Sequence, residues 1–212
     1  MKIMKIIAAV IALLTTCAFL SSCEAVATTD YSVEEVIGVV SADSEIFSEL
    51  YEKLGMLTVD SARIPEFDNM KDAIDLFRDS VLNYMLGESY AKYAGNSVLI
   101  EKVNEKHPGL DVIAVIPSAE FESVMYTHFG GSVKITHADG RIFRYLDSAD
   151  AYIPATAPIS GGVEMTLREV LETENTYRMS FSCSAGELTV DYFALAVKRA
   201  DGSCYFDALL QK

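Results

Sequence analysis

The stretch TYRMSFSCSAGELTVDYFALAVKRADGSCYFDALL, residues 176–210, constrains this chain more than any other part of it. Three apolar-rich runs are separated by Ala185-Gly186 and Asp201-Gly202, and Asp-Gly is a strong hairpin signal. Three strands joined by two tight turns make an antiparallel meander. Pairing across the first turn sets Cys183 opposite Leu188. Pairing across the second sets Cys204 opposite Arg199 or Ala200. Those partners lie about 11 residues apart on one strand, roughly 35 Å at about 3.3 Å per residue. A disulfide joins Cα atoms within about 7 Å, so both thiols are expected to be free. Cys183 then packs as a small apolar group on the Tyr177, Met179, Phe181 face. The strand over residues 188–199 is apolar on both sides. It should be central, with its outer face covered by a helix, a loop or a second subunit.

Upstream, Val163, Met165 and Leu167 alternate, and the phase then breaks at Arg168-Glu169 before Val170-Leu171. That break predicts a bulge and a curved sheet. Strands are expected from Ser132 onward, and the first half reads helical. Ser32-Val33-Glu34-Glu35 fits a capping box ahead of Val36, Ile37 and Val40. Asp43 or Ser44 caps a continuation through Ile46, Phe47, Leu50, Tyr51 and Leu54, ended by Gly55. A longer helix carries Met70, Ile74, Phe77, Val81, Tyr84 and Met85 on one face and stops at Gly95-Asn96. Residues 97–106 form another, and DVIAVI after it is a short strand or buried connector. In PSAEFESVMYTHFGG, Ser118 serves as N-cap, Glu120 and Glu122 oppose the dipole, and Gly-Gly is the stop. Helices followed by a meander define an α+β domain, with N-terminal helices packed on a curved antiparallel sheet.

Charge narrows the partners. The 212 residues carry 31 acids against 17 bases, a net charge of −14. The excess lies mainly in residues 24–131. With no cluster of Lys or Arg, nucleic acid is excluded as a partner, because phosphate binding needs a basic stripe.

The chain opens MKIMKIIAAVIALLTTCAFLSSC. Lys2 and Lys5 precede an apolar segment too short to span a bilayer, and small residues follow, which is the layout of a secretory leader. Leu20-Ser21-Ser22-Cys23 resembles the lipobox of bacterial lipoproteins. The resemblance implies cleavage before Cys23 and a diacylglycerol on its sulfur. Residues 1–22 are then a signal peptide, 23–31 a tether, and 32–212 one α+β domain. The protein would sit on the extracytoplasmic face of the cell membrane, with the membrane as a partner through lipidated Cys23.

The order of elements resembles the cone-shaped nuclear transport factor two-like fold, with a cystatin-like arrangement as the alternative. IPSAEFESVMYTHFGG and RYLDSADAYIPATAPISGG are also similar to segments of Gram-positive lipoproteins associated with that fold, over roughly residues 110–212. These motifs are structural punctuation, so the resemblance implies an architecture and not a reaction.

Chemistry-bearing residues are sparse. His107, His128 and His137 are scattered, with no spacing that converges on a metal. His128 should complement the dipole at a helix C-terminus, while His107 and His137 should face solvent. No nucleophile elbow, phosphate loop or zinc-protease helix occurs, and no cofactor is expected. Tyrosine, with its apolar body and polar tip, suits a cleft. Tyr126, Tyr145 and Tyr152 are the candidate ligand-binding residues, the last two in a loop near a cone mouth. The expected function is a non-catalytic domain that binds a small molecule, a peptide or an envelope protein. The alternatives are an isomerase-type enzyme using Asp191 with Tyr192 or Tyr126, and a structural protein that forms a homodimer through its sheet.

Overall fold

The computed structural model describes residues 34–58, 61–110, 112–131, 134–155 and 162–212. The leader, Cys23, the tether, Ser32 and Val33 lie outside the described residues. The C-terminal meander consists of β5 (Glu164–Glu172), β6 (Thr176–Ala185), β7 (Leu188–Lys198) and β8 (Cys204–Gln211). Its turns are shifted from where the sequence reading placed them: the first loop moves by one residue to 186–187, and the second takes three residues, 200–202. Ala185 pairs with Leu188, Cys183 with Val190, and Cys204 with Lys198. Gly186, at φ 60°, supplies the left-handed residue inside the first loop, which is closed by Ala185 and Leu188. Cys183 and Cys204 are free and buried. Their partners stand eight residues apart on β7, about 26 Å along the strand.

The phase break in β5 is a bulge. Leu167 pairs with Phe181 and Glu169 with Ser180, so Arg168 is left over; a second shift falls between Leu195 and Ala196. The two irregularities bend the sheet. A short strand, β1 (Gly38–Val39), closes its edge in the order β1-β5-β6-β7-β8. The helix expected from the capping box is therefore not formed over residues 34–40. Ile37 and Val40 donate their N–H groups to the carbonyls of Glu172 and Val170, at 2.8 and 2.9 Å. The β-branched run Val36-Ile37 and Val39-Val40 suits the open edge of β5 better than a helix.

The helices largely follow the apolar periodicity. In α1 (Glu45–Leu57), the Ser44 side chain accepts from the Phe47 N–H. Gly55 does not stop this helix; it lies inside, and the end comes at Thr58, whose N–H and hydroxyl both donate to the Gly55 carbonyl. Helix α2 (Met70–Glu88) is capped by Asn69 and breaks at Ser89. The run expected to reach Gly95 thus continues as a separate short helix, α3 (Tyr90–Ala94). Helix α4 (Ser97–Lys106) has its expected bounds, with Asn96 as cap. In α5 (Ser118–Phe129), Ser118 is the first helical residue and not the cap; its hydroxyl donates to Asp150 at 2.6 Å. The stop at Gly130 is backbone-driven: φ is 87°, and a Cβ there would lie 3.2 Å from the Tyr205 ring.

Residues 132–142 contain no described strand. The strands that follow, β3 (Phe143–Leu146) and β4 (Ala151–Pro154), do not extend the meander. They form a separate sheet with β2 (Ile116–Pro117), in the order β2-β4-β3. Val103 of α4, Val115, Ala151 and Ile153 make a small core of their own there. The main core lies between the helices and the face of the large sheet that carries Met179, Phe181, Cys183, Tyr192, Ala194 and Leu209. On the opposite face of β7, Phe193 and Leu195 stay half-buried beside exposed Leu210, and are not covered as the sequence reading required.

The turn before β3 is anchored from α2. The Asp79 carboxylate accepts backbone N–H groups from Arg141 at 2.6 Å, Ile142 at 3.2 Å and Phe143 at 3.3 Å. It passes so close to Gly140 that a Cβ there would sit 2.2 Å from Asp79 Oδ1. Asp79→Ala leaves three amides unmet, two of them on buried residues, and should cost about 3 kcal/mol in urea unfolding. A cost below about 1 kcal/mol would mean that the turn holds without this carboxylate.

Candidate functional site

Tyr145 and Tyr152 are opposed across the β3–β4 register, with ring centroids 5.2 Å apart. His137 stacks on Tyr145 at 4.7 Å. Its Nδ1 lies 3.0 Å from the Tyr152 hydroxyl, and its Nε2 lies 3.0 Å from Glu122 Oε1 on α5. His137 is thus not a solvent-facing turn residue, since 15% of its side chain is exposed. The anchored turn at Gly140 carries it back over the tyrosines. Tyr145 donates to Asp150 at 2.7 Å, and Asp150 holds a left-handed backbone at φ 49°. Hydrogen bonds from Ser118 and Tyr145 keep the Asp150 carboxyl below its usual range.

This cluster has the parts of a proton relay, but its inner end is closed. Tyr152 is fully buried. Burial pushes the Tyr145 and Tyr152 hydroxyls up to about 12, so neither ionises near neutrality. Tyr126 does not join them. Its ring lines an open groove of about 550 Å³ with Glu122, Arg199 and Asp201. The Arg199 guanidinium donates to the Tyr126 carbonyl at 2.7 Å and also reaches the Thr127 carbonyl. Arg199 therefore supplies the cation at the end of α5, the role expected of His128.

His128 points elsewhere. It is buried, and its Nδ1 lies 2.9 Å from the Val124 carbonyl, one turn back. Its pKa is lowered to about 4, above all by burial; the Val124 carbonyl opposes this, Lys53 on α1 and Arg199 add to the lowering, and Glu49 works weakly against it. The folded protein holds this ring neutral where the unfolded chain would bind a proton. Stability is complete above about pH 6.5 and is lost as pH falls toward 4, by about 3 kcal/mol in all. His128→Gln should flatten that limb of the urea-midpoint profile. An unchanged profile would show that other groups cause it.

His128 lines a cleft of about 370 Å³ between α1, α2 and α5. Helical spacing builds it. Glu49, Glu52, Lys53 and Met56 fall on one stripe of α1, Tyr84, Met85 and Glu88 on one stripe of α2, and Val124 and His128 one turn apart on α5. Tyr93 of α3 completes the wall. Two methionines, two tyrosines and a valine supply its apolar surface. The Tyr84 hydroxyl reaches Glu52 at 3.3 Å, and that of Tyr93 reaches Glu120 at 3.0 Å. Both hydroxyls are pushed up to about 12, first by burial and then by these carboxylates. At the base, the buried Lys53 ammonium donates to the Cys204 carbonyl at 2.7 Å and pairs with Glu49 at 2.9 Å. The Cys204 thiol is raised by burial despite this neighbour, so it is a packed thiol and not a nucleophile.

The components of an isomerase do not assemble. Asp191 is ion-paired with Arg168 on the sheet face opposite Tyr192. The Tyr192 hydroxyl is used structurally, accepting from the Ile64 N–H and donating to the Ala62 carbonyl. Asp207 is raised by burial and then by Asp68, but it does not line the cleft. Among the described residues, no three His, Cys, Asp or Glu side chains are grouped to hold a metal, and no helix is long and apolar enough to cross a membrane.

The sequence reading did not single out Glu49, Glu52, Glu88 or Met56, and it placed Tyr84 and Met85 only on the apolar face of a helix. Their spacing within each helix was readable, but the convergence of three helices was not. The chain matches no family model, and neither a curated protein nor a solved structure is significantly similar to it.

Proposed function

We propose that this chain is a lipid-anchored extracytoplasmic binding domain without catalysis, held to the membrane through Cys23, with its ligand site in the cleft between α1, α2 and α5. The observation that carries this reading is the chemistry of the cleft. Its walls are methionine and tyrosine, its carboxylates stand at the rim, and no buried acid faces it. A general acid or base works best with a pKa near the operating pH, and His128, Tyr84 and Tyr93 in this cleft are all shifted away from neutrality. A binding site, in contrast, needs apolar walls with a few placed polar groups. At about 370 Å³ the cleft suits a small molecule or one side chain of a peptide or envelope protein. We further assign the domain to the nuclear transport factor two-like class. Helices that precede a doubly irregular, bent antiparallel sheet and pack on one face of it support this assignment.

Homodimerisation through the sheet has less support. Phe193, Leu195 and Leu210 form a narrow strip, interrupted by Arg178, Ser180 and Asp191 on the neighbouring positions. The test is an amide-resolved fragment titration of the full-length protein in zwitterionic micelles. The expected responders are the amides of Met56, Tyr84, Met85 and Val124. Responses confined to the Tyr126 groove or to β7 would refute the cleft as the site.

A further inference from the structure

We infer that the cleft between α1, α2 and α5 takes an organic cation, a primary ammonium group carried on a short apolar body. This assignment rests on the binding reading above and adds the ligand class. The polar groups that the cleft leaves available are acceptors. Glu49, Glu52 and Glu88 surround its opening. His128 is 8% exposed and lines the base. Its Nδ1 is engaged by the Val124 carbonyl and its Nε2 has no partner among the described residues, so a neutral ring presents a lone pair to the cleft.

The cationic and phenolic donors, by contrast, are already used, and the Ser89 hydroxyl can donate or accept. Lys53 is the one lysine or arginine lining the cleft. Its Nζ faces the Cys204 carbonyl, the Glu49 carboxylate and, at 3.8 Å, the Cys204 sulfur, which accounts for three N–H bonds. The Tyr84 and Tyr93 hydroxyls point their protons at Glu52 and Glu120. An anionic ligand would meet three carboxylates with only the neutral Ser89 hydroxyl to donate to it. A neutral apolar ligand would leave the acceptors at the base unpaired.

A primary ammonium satisfies these groups, and its apolar body rests against Met56, Met85 and the tyrosine rings. The same chemistry already operates next to the cleft. The Lys92 ammonium lies 5.1 Å from the centroid of the Tyr93 ring and pairs with Glu120. The lone pair of His128 requires an N–H donor, which separates a primary amine from a quaternary one.

The experiment is a calorimetric and amide-resolved titration of the full-length protein in zwitterionic micelles, with empty micelles as blank. The probes are pentylammonium, pentyltrimethylammonium, 1-pentanol and hexanoate. Pentylammonium should bind tightest and move the amides of Met56, Met85, Val124 and His128. The double substitution Glu52→Gln with Glu88→Gln should weaken it on the order of tenfold, and added salt should weaken it in the same direction. A thermal melt confirms that the double variant is folded. If 1-pentanol or hexanoate moves the same amides at equal or lower concentration, the cation assignment falls and the binding domain stands. If the folded double variant binds pentylammonium undiminished, the assignment also falls. If no probe of any charge reaches these amides, both the assignment and the binding reading are overturned.

Discussion

Phe77→Ala should lower the stability of the folded domain by about 4 kcal/mol, the largest effect expected of any single core truncation here. Phe77 on α2 is fully buried where three rings meet. Phe67 meets it edge-on at 5.5 Å, Phe129 of α5 stacks on it at 5.7 Å, and Phe67 and Phe129 touch edge-to-face at 5.5 Å. Phe67 is itself fixed to the sheet, because it exchanges backbone hydrogen bonds with Leu209 of β8 at 3.0 and 2.8 Å. The three rings therefore join a helix, a connecting segment and a second helix to the end of the meander. Truncating the central ring removes its transfer energy and two aromatic pairs, and it leaves a cavity that elements held from several sides cannot collapse to fill. Urea unfolding should show a lower midpoint at unchanged slope, and the melting temperature should fall by roughly 10 °C. Leu76→Ala is the control. That residue is next on the same helix and 43% exposed, and its truncation should cost well under about 1 kcal/mol. Equal losses at the two positions would contradict the assignment of Phe77 to the centre of the core.

Cys23→Ala should move the protein from the membrane fraction to the soluble one. No described helix can span a bilayer, and an acidic domain gains nothing from an anionic surface. Two acyl chains, at about 0.8 kcal/mol per buried methylene, give a stable anchor, and one chain alone gives a marginal one. The effect is therefore expected to be close to all-or-none. Mass spectrometry of the wild-type N-terminus supplies the second measurement, with a diacylglyceryl-modified Cys23 as the first residue. A variant that stays with the membrane, together with a wild type that carries no lipid, would remove the proposed anchor.

The local parts of the fold were legible in the sequence because they depend on neighbours close along the chain. Apolar spacing located α1 and α2, cap and stop signals located α4 and α5, a two-residue alternation located β5, and apolar runs between two tight turns located β6 to β8. The phase break at Arg168 announced the bulge between Leu167 and Glu169. The distance between the strand partners of Cys183 and Cys204 ruled out their disulfide, even though the register was misplaced by two residues in one case and by one or two in the other.

What the sequence misjudged needed a partner far along the chain. Residues 34–40 looked helical until the open edge of β5 offered them hydrogen bonds from more than 120 positions away. Ser118 has the form of a cap, but the Asp150 carboxylate competes for its hydroxyl. His137 reads as a turn residue because nothing near it in sequence reveals that Asp79 pins Gly140 and folds the ring onto Tyr145 and Glu122. His128 has a helix-end position that suits a cation, but burial decides its charge and Arg199 takes the dipole.

Periodicity fixes which side of each helix is apolar because one turn brings fourth neighbours together whatever surrounds them. Which stripe meets which, and whether a carboxylate ends at a rim or under a core, depends on the packing of elements distant in sequence. The sequence by itself therefore determined the types of most elements, the bent meander and the free thiols. Only the tertiary structure decided that α1, α2 and α5 enclose an acceptor-lined cleft, because burial and long-range contact, and not residue type, set the state of each group within it.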